Sequence, residues 1–148
     1  MELIKISKNK FGTTYKLKNE INLEFNNIKT LFGIEKIYNY KYIKWNIKNL
    51  DKIIQFEKNI RQLLPNHNLK STIIKKPNYP IMLLTKVPNY KNNSIIQNNA
   101  GEISSLNEYI DKDNKYNVSL SIKNIFVGEN DVKFSIYINK ISKCVLKK

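Results

Sequence analysis

The chain has 148 residues, enough to bury one hydrophobic core without disulfide or metal staples and too few to favour a second domain. It is 41% hydrophobic and 26% charged with four Gly and four Pro, which excludes collagen-like and disordered compositions. Lys and Arg outnumber Asp and Glu by 26 to 12, and the resulting net charge of +14 sets up a field that attracts polyanions.

Asn, Ile and Lys together supply 71 of the 148 residues, and 25 of the 26 basic residues are Lys, with Arg61 the exception. All three are encoded by AT-rich codons, so part of the lysine excess reflects base composition. Glu also has an AT-rich codon and has not risen in step, which leaves a nucleic-acid partner favoured. No apolar run approaches the ~18 residues of a membrane span, and Met1 to Lys5 do not begin a signal peptide. With Cys144 as its single cysteine, a soluble, cytoplasmic chain without internal disulfides is expected.

In chain order, Leu3–Ile6 and Thr13–Lys18 flank Gly12 as two short strands, and Ile21, Leu23 and Phe25 suggest a third. From Ile37 to Lys48 the alternation predicts a single strand. Ile43, Trp45 and Ile47 form its core face; Tyr38, Tyr40, Tyr42, Lys44, Asn46 and Lys48 form the other. Leu50, Ile53, Ile54, Ile60, Leu63 and Leu64 then recur at helical spacing, predicting a helix over about 50–64. Asn49 is its expected N-cap, Pro65 its stop, and Glu57, Lys58 and Arg61 its wet side. Leu69–Lys76 and Ile81–Val87 are strand-like between prolines. A polar, mobile loop is expected at about 89–117. The chain closes on a β-hairpin in which Val118–Ile122 and Val132–Ile138 flank the turn Gly128-Glu129-Asn130-Asp131. The order predicts a single, mainly β domain over 1–148: an OB-fold-like antiparallel Greek-key barrel with one mid-chain helix and a C-terminal hairpin. An open α+β sheet is the alternative.

Catalytic signals are weak. His67 and Cys144 stand far apart in the sequence, so no zinc set is expected, and a Cys–His nucleophile pair needs the fold to bring them together. Asp111 and Asp113 mimic the start of a calcium loop but lack its glycine and terminal Glu. A non-enzymatic binding protein without cofactors or metal is the expectation.

The binding candidates are aromatic and cationic. Tyr38, Tyr40, Tyr42 and Lys44 on one strand face suit unpaired bases, since aromatic rings stack on any base and lysines neutralise phosphates. A duplex hides its base faces, so single strands are favoured. A half-buried Tyr row packed under a loop is the competing reading. Lys48, Lys133 and Tyr137 extend the set, as do two Pro-Asn-Tyr turns, one with Lys75, Lys76 and Tyr79 and one with Lys86 and Tyr90.

Phe32-Gly33 leading into YNYKYIKW, the stretch YPIMLLTKVPNY and the closing hairpin VSLSIKNIFVGENDVKFSIYI resemble small single-stranded DNA-binding proteins of large cytoplasmic DNA viruses and yeast cytoplasmic linear plasmids. The resemblance covers about half the chain, in pattern and size. It implies an OB-fold, sequence-tolerant coating of single strands during replication, replication proteins as further partners, and a cytoplasmic site. Tyr38, Tyr40, Tyr42 and Lys44 take the stacking role by position. An acidic C-terminal tip of the replication type is missing, since Lys147-Lys148 stand there. Single-stranded RNA is a third ligand class. The reading from a different class is a small accessory subunit of a transcription or virion complex, with the Tyr-rich strand as a protein interface.

Overall fold

The structure is a computed structural model, and it describes residues 1–88, 96–97 and 109–144. The predicted polar loop at 89–117 lies largely outside these residues, as does Tyr90.

Strands dominate. β1 (Leu3–Asn9) turns into β2 (Gly12–Ile37), which continues for 26 residues, absorbing both of the expected strands after Gly12 and most of the link to the Tyr-rich segment. The Lys10-Phe11 turn between them is held by Asn9 Oδ1, which accepts from the Phe11 and Gly12 amides. There follow β3 (Tyr40–Asn46), helix α1 (Asp51–Leu63), the short β4 (Asn68–Leu69) and β5 (Ile73–Ile74), β6 (Met82–Val87), β7 (Ile96–Gln97), β8 (Tyr116–Gly128), β9 (Asp131–Phe134) and β10 (Tyr137–Lys143).

Five strands close on themselves in the order β2-β3-β6-β10-β8, with β8 returning to β2. Every step is antiparallel except β6–β10, where Tyr137 lies beside Lys86 and the Lys86 amide donates to the Ile136 carbonyl at 2.8 Å. This barrel-like Greek key agrees with the predicted class. Closure needs a strand long enough to border two neighbours, and β2 does so by bending. Its pairing slips between Lys16 and Ile21, between Phe25 and Ile28, and between Thr30 and Ile34. At the last slip Gly33 has φ +65°, and its amide donates to Thr30 Oγ1 at 3.1 Å. Gly12 instead permits a close approach: a Cβ there would strike the Val127 carbonyl and the Phe126 ring.

The core fills the ring. Leu17, Leu23, Ile43, Trp45, Leu83, Leu120, Ile122 and Ile138 are buried, and the Trp45 indole N–H donates to Thr85 Oγ1 at 3.0 Å. The predicted core face of β3 is therefore correct. So is the hairpin, with Val127 opposite Val132, although its return strand breaks at Ser135-Ile136 where it crosses from β9 to β10.

The helix follows the Tyr-rich strand and precedes the Leu69 strand, as predicted, and departs from expectation in two ways. Its start is at Asp51, whose amide donates to Asn49 Oδ1 at 3.1 Å, so Asn49 caps from one residue further out than predicted. Its buried stripe is Ile53, Phe56, Glu57 and Ile60, whereas Ile54 and Leu63 are exposed. Phe56 meets Phe134 edge to face at 4.9 Å, which seats the helix against β9. Glu57, assigned to the wet side, is buried because Ser71 and Thr72 need it: Ser71 Oγ donates to its carboxylate at 2.7 Å and the Thr72 amide at 3.2 Å. That grip interrupts the predicted Leu69–Lys76 strand and leaves β4 and β5 as fragments on either side.

Candidate nucleic-acid interface

The outward residues of β3, β6 and β10 line up by register. Tyr42 pairs with Lys86, and Lys86 with Tyr137, so the three side chains form a row across three strands. Lys86 Nζ lies 3.7 Å from the centre of the Tyr40 ring, 6.0 Å from that of Tyr42 and 5.8 Å from that of Tyr137. An ammonium over three phenol faces is held by cation–π attraction. The setting is partly desolvated. Burial, with Lys133 adding repulsion, draws the Lys86 ammonium below the usual lysine value. Burial, with Tyr40 and Tyr137 nearby, pushes the Tyr42 phenol up.

Around this row lies a groove of about 470 Å³. Phe126 and Lys133, opposite each other across the β8–β9 hairpin, form one wall, with Lys133 Nζ 5.3 Å from the ring centre. Lys70, Ser71 and Thr72 form another, in the segment that Glu57 anchors to the helix. Among the described residues the groove has four aromatic rings (Tyr40, Tyr42, Phe126, Tyr137 besides the buried edge of Phe134), three lysines, and no carboxylate in its lining. It can accept a flat, electron-rich group against the rings and anionic oxygens at its rim.

Of the predicted residues, the fold gathers Tyr40, Tyr42, Lys86, Lys133 and Tyr137 here. The others go elsewhere. Tyr38 does not continue the row; with Asn39 it makes the two-residue turn between β2 and β3, at φ +54° and 91% exposed. Lys44 faces outward but is committed to Glu35, at 3.2 Å, and its Nζ lies 5.3 Å from the Phe32 ring centre. Tyr79 packs its ring at a tilt against Phe32, with centres 5.6 Å apart, while Lys75 and Lys76 are exposed on the same loop. Lys48 lies past the end of β3 and lines a different concavity. Phe126 and Lys70 are the groove residues that sequence reading missed. The hairpin turn offered a signal for the first, because pairing Val127 with Val132 puts Phe126 opposite Lys133.

The other chemical candidates are occupied. His67 Nε2 lies 3.2 Å from the Gly128 carbonyl, and Cys144 Sγ lies 3.4 Å from Asn117 Oδ1, at opposite ends of β8. Asp111 Oδ1 accepts from the Asp113 and Asn114 amides and from Asn114 Nδ2, each at 2.9 Å. Burial raises the Asp111 pKa, but these hydrogen bonds and Lys143 outweigh it and hold the carboxyl below its ordinary value. Among the described residues no three His, Cys, Asp or Glu side chains group to share a metal ion, and no helix is long and apolar enough to cross a membrane.

Neither the models of known protein families nor the curated proteins contain a match to this chain.

Proposed function

We propose that this chain is a non-catalytic, sequence-tolerant binder of single-stranded DNA that coats replication intermediates, in the cytoplasmic viral or plasmid setting its sequence resembles. The observation that carries the reading is the Tyr40–Tyr42–Lys86–Tyr137 cluster. It combines three stackable rings with a cation, and it crosses β3, β6 and β10, of which β3 and β6 are the second and third strands of the ring, the face with which OB-type barrels hold oligonucleotides. The rings supply contact to any base, and Lys70, Lys86 and Lys133 supply phosphate neutralisation. The rings that line the groove suit unstacked bases, which a duplex does not present.

Titration with a short oligo(dT) across a salt series tests this. Tyrosine fluorescence should be quenched, and log affinity should fall against log salt with a slope of about −2, from three lysines at about −0.7 each. Tyr40→Ala should weaken binding by roughly 1–3 kcal/mol, the worth of one stacked base. Equal affinity for duplex, or no binding at low salt, overturns the proposal, and oligo(U) in parallel reports whether the sugar is discriminated.

The accessory-subunit reading draws on one observation, the exposed Ile37 and Tyr38 at the β2–β3 turn. A stoichiometric protein partner together with absent oligonucleotide affinity would select it.

A further inference from the structure

A second basic concavity, of about 510 Å³, opens at the far end of β3. Lys29 of β2, Lys48 after β3 and Lys115 before β8 converge on it from three separate stretches of chain. All three lysines are exposed, and none of them is within ion-pair distance of a described carboxylate. The remaining polar lining is the amides of Asn26, Asn27, Asn46 and Asn49, and among the described residues no Asp or Glu contributes. Cations and amide donors without a counter-charge are the chemistry that takes a phosphodiester.

The outward face of β3 joins this concavity to the tyrosine groove. Tyr40, Tyr42, Lys44 and Asn46 alternate along it; the first two line the groove and the last lines the second concavity. Tyr42 and Asn46 are four residues apart, roughly 13 Å along a strand. Between them Glu35 is neutralised by Lys44, and the partly exposed Phe32 and Tyr79 rings lie beside that pair.

We infer that the second concavity is a phosphate-binding subsite for the same nucleic-acid strand, which leaves the groove along the outer face of β3 and ends on Lys29, Lys48 and Lys115. This rests on the groove reading, and it adds a direction and a length requirement: a strand filling only the groove does not reach the second site.

The test compares the wild type with Lys29→Gln/Lys48→Gln/Lys115→Gln on oligo(dT) of about 4 and about 16 nucleotides, the limits of site size for one such barrel. The variant should bind the longer strand at least tenfold more weakly, with its salt slope reduced by about 2, from three lost phosphate contacts. Its affinity for the shorter strand should move less than twofold. Thermal unfolding of the variant should match the wild type, and Lys115→Gln alone gives a graded third of the slope change should the triple variant unfold early. An unchanged slope and affinity on the longer strand overturns the subsite while leaving the groove intact. Loss of both lengths equally overturns it too, because the lysines then act as a general field. Failure of the wild type to bind either length removes the groove reading and the subsite with it.

Discussion

Lys86 shows how one side chain serves two states. Its ammonium lies 3.7 Å from the centre of the Tyr40 ring, over the face that a base would use on the proposed reading. On the proposed reading, binding a strand would exchange a cation–π contact for a stacked base and a phosphate contact, and the lysine would have to swing outward. Because burial and Lys133 lower its pKa, Lys86 loses its charge at a lower pH than an ordinary lysine. Affinity for oligo(dT) should accordingly start to fall on the acid side of the usual lysine range, and Lys86→Arg, permanently charged, should move that fall upward. Identical pH profiles for the two proteins would contradict this role. Tyr116 makes a stability prediction of the opposite kind. Its ring is buried against Trp45, and its hydroxyl donates to the Tyr109 carbonyl at 2.9 Å and accepts from the Asp111 amide at 2.9 Å. Burial first, opposed by the Asp111 hydrogen bond and reinforced by the charges of Asp111 and Tyr109, pushes the phenol up to about 12 from 10. A pKa raised by folding gives stability that is complete below pH 10 and vanishes as the pH climbs to about 12. The amount is on the order of 2–3 kcal/mol. Tyr116→Phe should flatten the unfolding free energy across that window in denaturant titrations, even though it lowers stability at neutral pH.

At the scale of elements, the helix is tied to the groove through Glu57. The carboxylate satisfies Ser71 Oγ, Thr72 Oγ1 and the Thr72 amide, and Arg61 sits 3.6 Å away. Glu57→Ala strands the buried Thr72 donors, at about 1.5–3 kcal/mol for hydrogen bonds to a charged group. The melting temperature should fall by several degrees, and oligo(dT) affinity should fall as the Lys70–Thr72 wall loosens. A variant with reduced melting temperature and undiminished affinity would separate the helix from the site. Much of this level was legible in the residues. Alternation gave the inward face of β3 and the hairpin, and 3.6-residue spacing gave the helix, because those signals come from one-sided burial. The failures have a common origin in tertiary contact. Glu57 sits at a helical position that is polar by type and buried by partnership. Lys70 leaves its strand because of that same partnership. The Tyr38-Asn39 turn carries no Gly, so nothing local marked the reversal that removed Tyr38 from the stacking row.

For the whole molecule, the site depends on closure. Tyr42, Lys86 and Tyr137 come from three strands that become neighbours only through the β3–β6 and β6–β10 contacts. Sequence reading found these residues singly, by type and alternation. It could not place Lys70 beside them, or send Lys44, Lys48 and Tyr79 away, because those assignments follow from which strands adjoin. The same connectivity governs folding. Pairing β2 with β8 joins Gly12 to Gly128, and most of the ring depends on contacts between distant parts of the chain. Refolding in stopped-flow experiments should be slow for the chain's size, on the order of milliseconds to seconds. Microsecond relaxation would mean that a local subset of these strands forms by itself.

The length of β2 has a consequence for the protein during its synthesis. β8, which must cover one edge of its 26 residues, is completed about ninety residues after β2 itself. Through that interval a nascent chain carries β2 as a ribbon whose Gly12–Ile28 edge is still unpaired. Holding such a ribbon apart from its counterparts on neighbouring polysomes is a task for chaperones, and heavy overexpression would be expected to yield inclusion bodies before it exhausted the capacity of the finished barrel to stay dissolved.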